Sequence, residues 1–424
     1  MSVIHVHGLH SLRGEINIQG SKNAVLPVMA ASLLHRGTTV IKNVPRIQDV
    51  SCMMGILEYL GCVCTLDGHT LAIDTREMSS TRIPDSQVKQ MRSSIMLMGP
   101  MLGRLNAAVT CRPGGCSIGK RPIDLHLYAL RRMGADIRME GDRITASTIG
   151  LKGAEIDLAY PSVGATENAL MAAVAAKGST WIRGAAKEPE IMELCRFLTA
   201  MGARIGGIGT DTLKVEGQRP LKDIVFEVAG DRIVAGTYLG AVMAASGDVM
   251  LANAPAHHME EVLCAARRMG ADVTVTPGGV RVRMEGRPKP VDIRTGPYPE
   301  FPTDLQSVMV AVAAVADGVS HIEETVFEGR FGTVKELQKL GAHIIIKNRT
   351  AEVTGTWPLK GGEACATDLR GGAALVVAGL AGDGATDIAG YSHIRRGYED
   401  ICRDLRKAGA AAGLVRPDTE AGQY

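Results

Sequence analysis

Aromatic residues are scarce: Trp, Tyr and Phe make up 4% of the 424 residues. Few flat surfaces remain on which bases can stack, which argues against a single-strand nucleic-acid binder. A dominant charge is missing too. The 47 Lys and Arg are balanced by 45 Asp and Glu, so no overall field draws the chain to nucleic acid or to a membrane surface, and any basic patch is local. No apolar run reaches membrane-spanning length, and Met1 to Glu15 contain no signal-peptide core. The nine cysteines include no CxxC pair and fall in apolar segments such as Leu194-Cys195 and Leu263-Cys264. That usage argues against structural zinc or a disulfide framework and predicts a reducing, cytoplasmic setting.

What the chain does have is repetition. Helical patterns end in glycine at Gly61, Gly134, Gly202, Gly270, Gly341 and Gly409, spaced by 73, 68, 68, 71 and 68 residues. Spacing this regular marks a repeated structural unit. A second series, Gly37, Gly178, Gly247, Gly318 and Gly384, closes another helix in most units. Both series fit the position after a helix, where φ is usually positive.

Each unit holds two kinds of helix. One is small and apolar on almost every face, as in Asn168 to Ala176, Val234 to Ala245, Leu305 to Ala316 and Gly372 to Ala381, the pattern of a helix buried all round. The other is amphipathic, as in Asp124 to Met133, Glu190 to Met201, His258 to Met269 and Tyr398 to Ala408. Strands between them, such as Ala135 to Met139 and Ala271 to Val275, complete an α/β unit. The expected fold is α/β with helices inside and sheets outside, built from six βαβαββ-like units, three per domain. One lobe spans 21–229 and the other 1–20 plus 230–424, the first twenty residues supplying strands missing from the sixth unit.

The segment Cys111 to His126 places Cys116 among Gly114, Gly115 and Gly119 and near Arg112, Lys120 and Arg121. Glycine-rich backbone approaches anions closely, arginines add charge-assisted contacts, and nearby cations make a thiol more acidic. A lid over a phosphate or carboxylate, about 112–122, and a solvated surface hairpin both fit these residues. The thiol favours the lid.

If three buried helices per lobe run parallel and the lobes face each other, six helix starts surround one cleft and favour anions. Ser21, Ser162, Thr303, Asp231 and Asp368 there also read as ordinary caps. Lys22, Arg92 and Arg370 do not: a cation in a first turn opposes the dipole by roughly 0.3–1 kcal/mol, so three of them point to a polyanionic ligand. Asp304 caps, or is a general base if Thr303 caps instead. Arg395 and Arg396 precede the last amphipathic helix, and His257-His258 read as solvated, without metal spacing.

Five motifs in order now bear on function. Ser21-Lys22-Asn23-Ala24, the Pro113 to His126 segment, Pro161 to Thr166, Phe301-Pro302-Thr303-Asp304 and Arg396-Gly397-Tyr398-Glu399 together resemble the UDP-N-acetylglucosamine 1-carboxyvinyltransferases over nearly the whole chain. The resemblance implies the enolpyruvyl-transferase fold, two inside-out α/β barrel domains. It implies transfer of enolpyruvyl from phosphoenolpyruvate to the 3′-hydroxyl of UDP-N-acetylglucosamine with release of phosphate, the first committed step of peptidoglycan synthesis. Cys116 matches the lid thiol, acid toward the donor's methylene and target of fosfomycin, and Asp304 matches the base. Lys22, Arg92, Arg121 and Arg396 match cations around phosphoenolpyruvate, and Asn23 a sugar contact. Arg121, Pro122, Ile123, Asp124, Leu125, Ser162, Val163, Gly164 and Val326 line up with the nucleotide site. Asp368 and Arg370 match an inter-domain support, Arg370 also counting toward the substrate site.

The resemblance implies no metal, no cofactor and no nucleic-acid or membrane partner, and a monomer or weak homo-oligomer. Tyr160 stands where some members have a lysine, and Lys120 is an extra cation. Three alternatives stay open: a weakly active paralogue, a catalytically silent regulator, and 5-enolpyruvylshikimate-3-phosphate synthase, which shares fold and donor.

Overall fold

The computed structural model describes residues 2–114 and 118–415. They form two compact units, one of residues 20–114 and 121–229, the other of residues 2–19, 118–120 and 230–415. Each has its own hydrophobic core. Among the described residues no helix is long and apolar enough to cross a membrane.

Three helices fill the middle of each unit: Lys22–Ala31, Met98–Leu105 and Val163–Ala175 in the first, Arg232–Ala245, Gln306–Ala313 and Leu369–Leu380 in the second. Apart from residues at their ends these helices are buried on every face. Small residues make that possible. A Cβ on Gly99 would lie 2.5 Å from the Asn168 carbonyl, and one on Gly103 2.5 Å from the Ala175 Cβ. Methyl groups there would force the two helices apart, an overpacking that typically costs about 1–3 kcal/mol.

The sheets cover these helices. Strand Ser179–Arg183 shows the pattern, with Thr180 and Ile182 buried and Ser179, Trp181 and Arg183 exposed, one face on the core and one in water. Five sheets are four-stranded, three strands antiparallel and one added in parallel. The sixth has three strands, with a single parallel bridge from Arg82 to Val109 beside it. In the first unit the last strand, Ile224–Glu227, returns to pair with Thr38–Lys42.

The amino-terminal segment divides its strands between two sheets. Val3–His7 inserts between Gly382–Ala389 and Ala411–Val415 and completes the sixth repeat, as expected. Leu12–Asn17 instead lies parallel to Gly247–Ala252 in the fourth. That sheet needs the parallel strand its fellows take from the preceding repeat, and in this unit only the amino-terminal segment precedes it.

All six glycines of the first series have φ between +85° and +119°. In the second series Gly178, Gly247 and Gly318 follow their helices with positive φ. Gly384 has positive φ inside strand Gly382–Ala389, and Gly37 is not left-handed at all. A Cβ on Gly37 would lie 2.1 Å from Asp223 Oδ1, so close approach explains that residue. The expected helix from Leu305 becomes a 3-10 turn, Thr303–Leu305, leading into Gln306–Ala313.

Candidate functional site

In the second unit the 3-10 turn Thr303–Leu305 presents Asp304 to two buried guanidinium groups. Arg370 donates from Nε and Nη2 to Oδ2 at 3.2 and 2.9 Å, and Arg330 donates from Nη2 to Oδ1. The Arg330 and Arg370 side chains are 3% and 5% exposed, that of Asp304 28%. Burial by itself lowers the Arg370 pKa. Asp304 first, then Tyr398 and Asp231, more than reverse that and hold the guanidinium above its ordinary value.

Thr303 does not cap. Its hydroxyl donates to Glu324 Oε2 at 2.8 Å, while Oε1 of the same buried carboxylate accepts from Val326 N and Phe327 N at 2.7 and 2.9 Å. Glu324 thereby ties Val326 to the Asp304 turn. The caps are elsewhere: Asp231 accepts from Ile233 N and Val234 N, Asp368 from Arg370 N and Gly371 N, and Ser162 from Ala165 N. Gln19 clamps the segment after Arg396, accepting from Glu399 N at 3.0 Å and donating to Gly397 O at 3.1 Å.

In the first unit Lys22 and Asn23 open their helix after Gly20, where a Cβ would sit 1.7 Å from the Asn43 carbonyl. Lys22 Nζ lies 2.8 Å from Asp49 Oδ2, both side chains nearly buried. For Lys22 and Arg370 the anion that offsets the opposed dipole is therefore within the chain, at Asp49 and Asp304. Those two positions by themselves do not demand a ligand, which corrects the expectation from sequence.

Arg92 opens the 3-10 turn Arg92–Leu97, and Arg121 and Pro122 are exposed just before helix Asp124–Arg132, which begins with Asp124 and Leu125 after Ile123. His126, on that helix, is buried. Desolvation first, then the charges of Arg92 and Arg121, push its pKa down to about 4. Ser162, Val163 and Gly164 start helix Val163–Ala175, and Gly164 lies against the His126 ring. Arg92, Arg121 and the 162–164 turn thus converge on one buried imidazole.

Cys116 lies outside the described residues. After it, Lys120 N donates to Glu328 Oε1 at 2.8 Å, and Gly329 N donates to Ile118 O at 2.9 Å. Tyr160 is 45% exposed, and its carbonyl accepts from Ser162 N. One expectation fails: His258, read as solvated, is buried at 8% exposure.

Sequence reasoning missed Asp49, His126, Glu324, Arg330 and a buried acid, Glu167. Burial first, then Glu190 and Glu188, push the Glu167 pKa well above its ordinary value. Helical spacing within Asp124 to Met133, which puts His126 on the apolar face, was the available signal. The other four are tertiary facts.

Interior helices under external sheets, with cations at helix starts, define the class that comparison identifies. The fold matches the enolpyruvyl transferase NikO from Streptomyces tendae at TM-score 0.88 and 24% identity, over 97% of this chain and 98% of that one. It matches EPSP synthase from Acinetobacter baumannii at TM-score 0.76 and 18% identity, over 98% and 100%. The chain belongs to the enolpyruvyl (1-carboxyvinyl) transferases, matching over residues 6–405 the family model described as EPSP synthase (3-phosphoshikimate 1-carboxyvinyltransferase). Relatives carry a more particular name. UDP-N-acetylglucosamine 1-carboxyvinyltransferase from Cellvibrio japonicus is 45% identical over 97% of this chain and 99% of its own. UDP-N-acetylglucosamine 1-carboxyvinyltransferase 2 from Caldanaerobacter subterraneus is 43% identical over the same shares.

Proposed function

We propose that the chain transfers the enolpyruvyl group of phosphoenolpyruvate to the 3′-hydroxyl of UDP-N-acetylglucosamine, releasing phosphate and opening peptidoglycan synthesis. The identity of 45% and 43% over 97% of the chain to relatives of that name carries the reading, and the resemblance of the five motifs supports it. The reading includes a cytoplasmic setting and a monomer or weak homo-oligomer.

Adding an alcohol across an enol phosphate requires C3 of the donor to gain a proton while the hydroxyl loses one, so an acid and a base are needed. Cys116 takes the first role. Asp304 takes the second, and its two guanidinium partners fix where the carboxylate points before it accepts the proton. Lys22, Arg92, Arg121 and Arg396 hold phosphate and carboxylate through the oxocarbenium-like transition state. Asn23, Arg121 to Leu125, Ser162 to Gly164 and Val326 bind the nucleotide sugar, with Arg370 supporting through Asp304. Loss of phosphate and of a C3 proton then restores the double bond, and neither metal nor cofactor enters the scheme.

The test is phosphate release by the purified chain with both substrates. Release with shikimate 3-phosphate as sole acceptor would transfer the assignment to 5-enolpyruvylshikimate-3-phosphate synthase. Nucleotide binding without release would make it a silent paralogue. Cys116→Asp is expected to retain turnover and resist fosfomycin; a fully active Cys116→Ser would remove the acid role.

A further inference from the structure

Glu324 is 1% exposed, and its two carboxylate oxygens serve two different parts of the site. Oε2 accepts from the Thr303 hydroxyl, next to Asp304, at 2.8 Å, while Oε1 accepts from Val326 N at 2.7 Å and Phe327 N at 2.9 Å. All three partners donate, and a carboxylate has lone pairs for all of them.

That carboxylate stands on a fixed base. Glu324 directly follows strand Val319–Glu323. Its N–H donates to Arg349 O at 2.8 Å, and its own carbonyl accepts from Arg349 Nε at 2.8 Å. Thr325 beside it exchanges two bonds with Thr295, N–H to Oγ1 at 3.0 Å and Oγ1 to the carbonyl at 2.7 Å. The turn it holds is less constrained: Thr303–Leu305 has three residues, and the guanidinium groups on the Asp304 carboxylate sit at the ends of long side chains. Arg330 also donates from Nε to Thr303 O at 3.1 Å and lies 5.5 Å from the centre of the Phe327 ring. Thr303, Asp304, Arg330, Phe327 and Glu324 therefore close a ring of contacts in which Glu324 is the member tied to the sheet.

We propose that Glu324 is a positioning residue for the transfer reaction, holding Asp304 through Thr303 in register with the nucleotide contact at Val326. The inference rests on the reading of Asp304 as the base and Val326 as a nucleotide contact, and it adds a residue that the resemblance does not assign. A base acts only within hydrogen-bond reach of the proton it takes, and a displacement of about 1 Å can cost about a hundredfold in rate. Glu324 itself touches no reacting atom.

Phosphate release by the full chain, with kcat and both KM values, tests this together with UDP binding by calorimetry. Thr303→Val removes one bond and leaves the Val326 and Phe327 arm in place. Its kcat is expected to fall about tenfold or more, with UDP affinity and KM for UDP-N-acetylglucosamine within about twofold of wild type. Thr303→Ser restores the hydroxyl and should restore kcat. Glu324→Gln should keep most of it, because the amide oxygen accepts from both backbone N–H groups and Nε2 donates to the Thr303 oxygen. An unchanged kcat in Thr303→Val, or a Thr303→Ser variant as slow as Thr303→Val, overturns the proposal.

A double-mutant cycle shows whether the hydroxyl acts through Glu324. Glu324→Met loses kcat at least as far as Thr303→Val, and adding Thr303→Val to it changes kcat by less than about twofold, since the two residues share one bond. A full second loss would mean that the hydroxyl acts on substrate directly, which also overturns the proposal. Should Glu324→Met fail to fold, the comparison of Thr303→Val with Thr303→Ser decides. A wild type that releases no phosphate removes the transferase reading and this role with it; an active wild type matched by Thr303→Val removes this role alone.

Discussion

Arg370 grips Asp304 with two donors on one oxygen, Nε at 3.2 Å and Nη2 at 2.9 Å from Oδ2. Arg330 takes the other oxygen, so one carboxylate is shared by two buried cations. Removing one partner of such a cluster costs about 3–5 kcal/mol, because a buried charge is left without compensation. Asp304→Ala is expected to lose stability on that scale in urea unfolding. Asp304→Asn keeps shape and an acceptor, so it should unfold closer to wild type and yet release no phosphate. An Asn variant with normal turnover would remove Asp304 from the base role.

Lys22 and Asp49 form a pair, 2.8 Å apart, whose two functions are separable. Asp49→Ala leaves the ammonium at a helix start without its carboxylate and is expected to cost roughly 3 kcal/mol. The double variant Lys22→Met with Asp49→Leu replaces the pair by apolar groups and should recover much of that loss. Its turnover should stay at least a hundredfold down, because the cation proposed to hold the donor phosphate is gone. Recovery of turnover along with stability would make Lys22 structural only.

Two buried groups give opposite pH slopes. The His126 pKa is about 4 in the folded chain against about 6.5 unfolded, so the unfolded state binds more protons between those values. Its contribution is complete above pH 6.5 and is lost as pH falls toward 4, roughly 3 kcal/mol in all. His126→Asn should lack that acid-side loss when unfolding free energies are compared at pH 7 and pH 4.5.

Glu167 works the other way, its folded pKa being raised by burial and by Glu190 and Glu188. Its contribution is complete below the unfolded carboxyl value of about 4.3 and declines as pH rises, at up to about 1.4 kcal/mol per pH unit. Glu167→Gln should gain on wild type between pH 5 and pH 8. Parallel curves for the two proteins would show that Glu167 is ionised in the fold.

Gln19 clamps the backbone on both sides of Tyr398, and its own carbonyl accepts from Asp231 N at 2.8 Å. Gln19→Ala is expected to raise KM for phosphoenolpyruvate several-fold through a displaced Arg396, while KM for the nucleotide sugar holds. Equal change in both constants would mean a general loss of order.

Much of the architecture was legible because it is periodic. Glycines at intervals of 68 to 73 residues recur where left-handed backbone ends a helix, and apolar helices without a polar face have no place but the interior. Leu12–Asn17 was harder to place. Either of two sheets accepts a strand of that pattern, and the choice depends on which sheet lacks a parallel neighbour.

By itself the sequence determined the repeat, the buried character of the helices, the caps at Asp231, Asp368 and Ser162, and the five motifs, because each depends on residues adjacent or regularly spaced along the chain. Tertiary structure alone decided that Lys22 meets Asp49, that Asp304 is shared by Arg330 and Arg370, and that Asn168 Nδ2 meets His126 Nδ1. Those partners lie 26 to 66 residues apart. No periodicity encodes such pairs; burial excludes water, and each polar group then takes the partner that packing brings within reach.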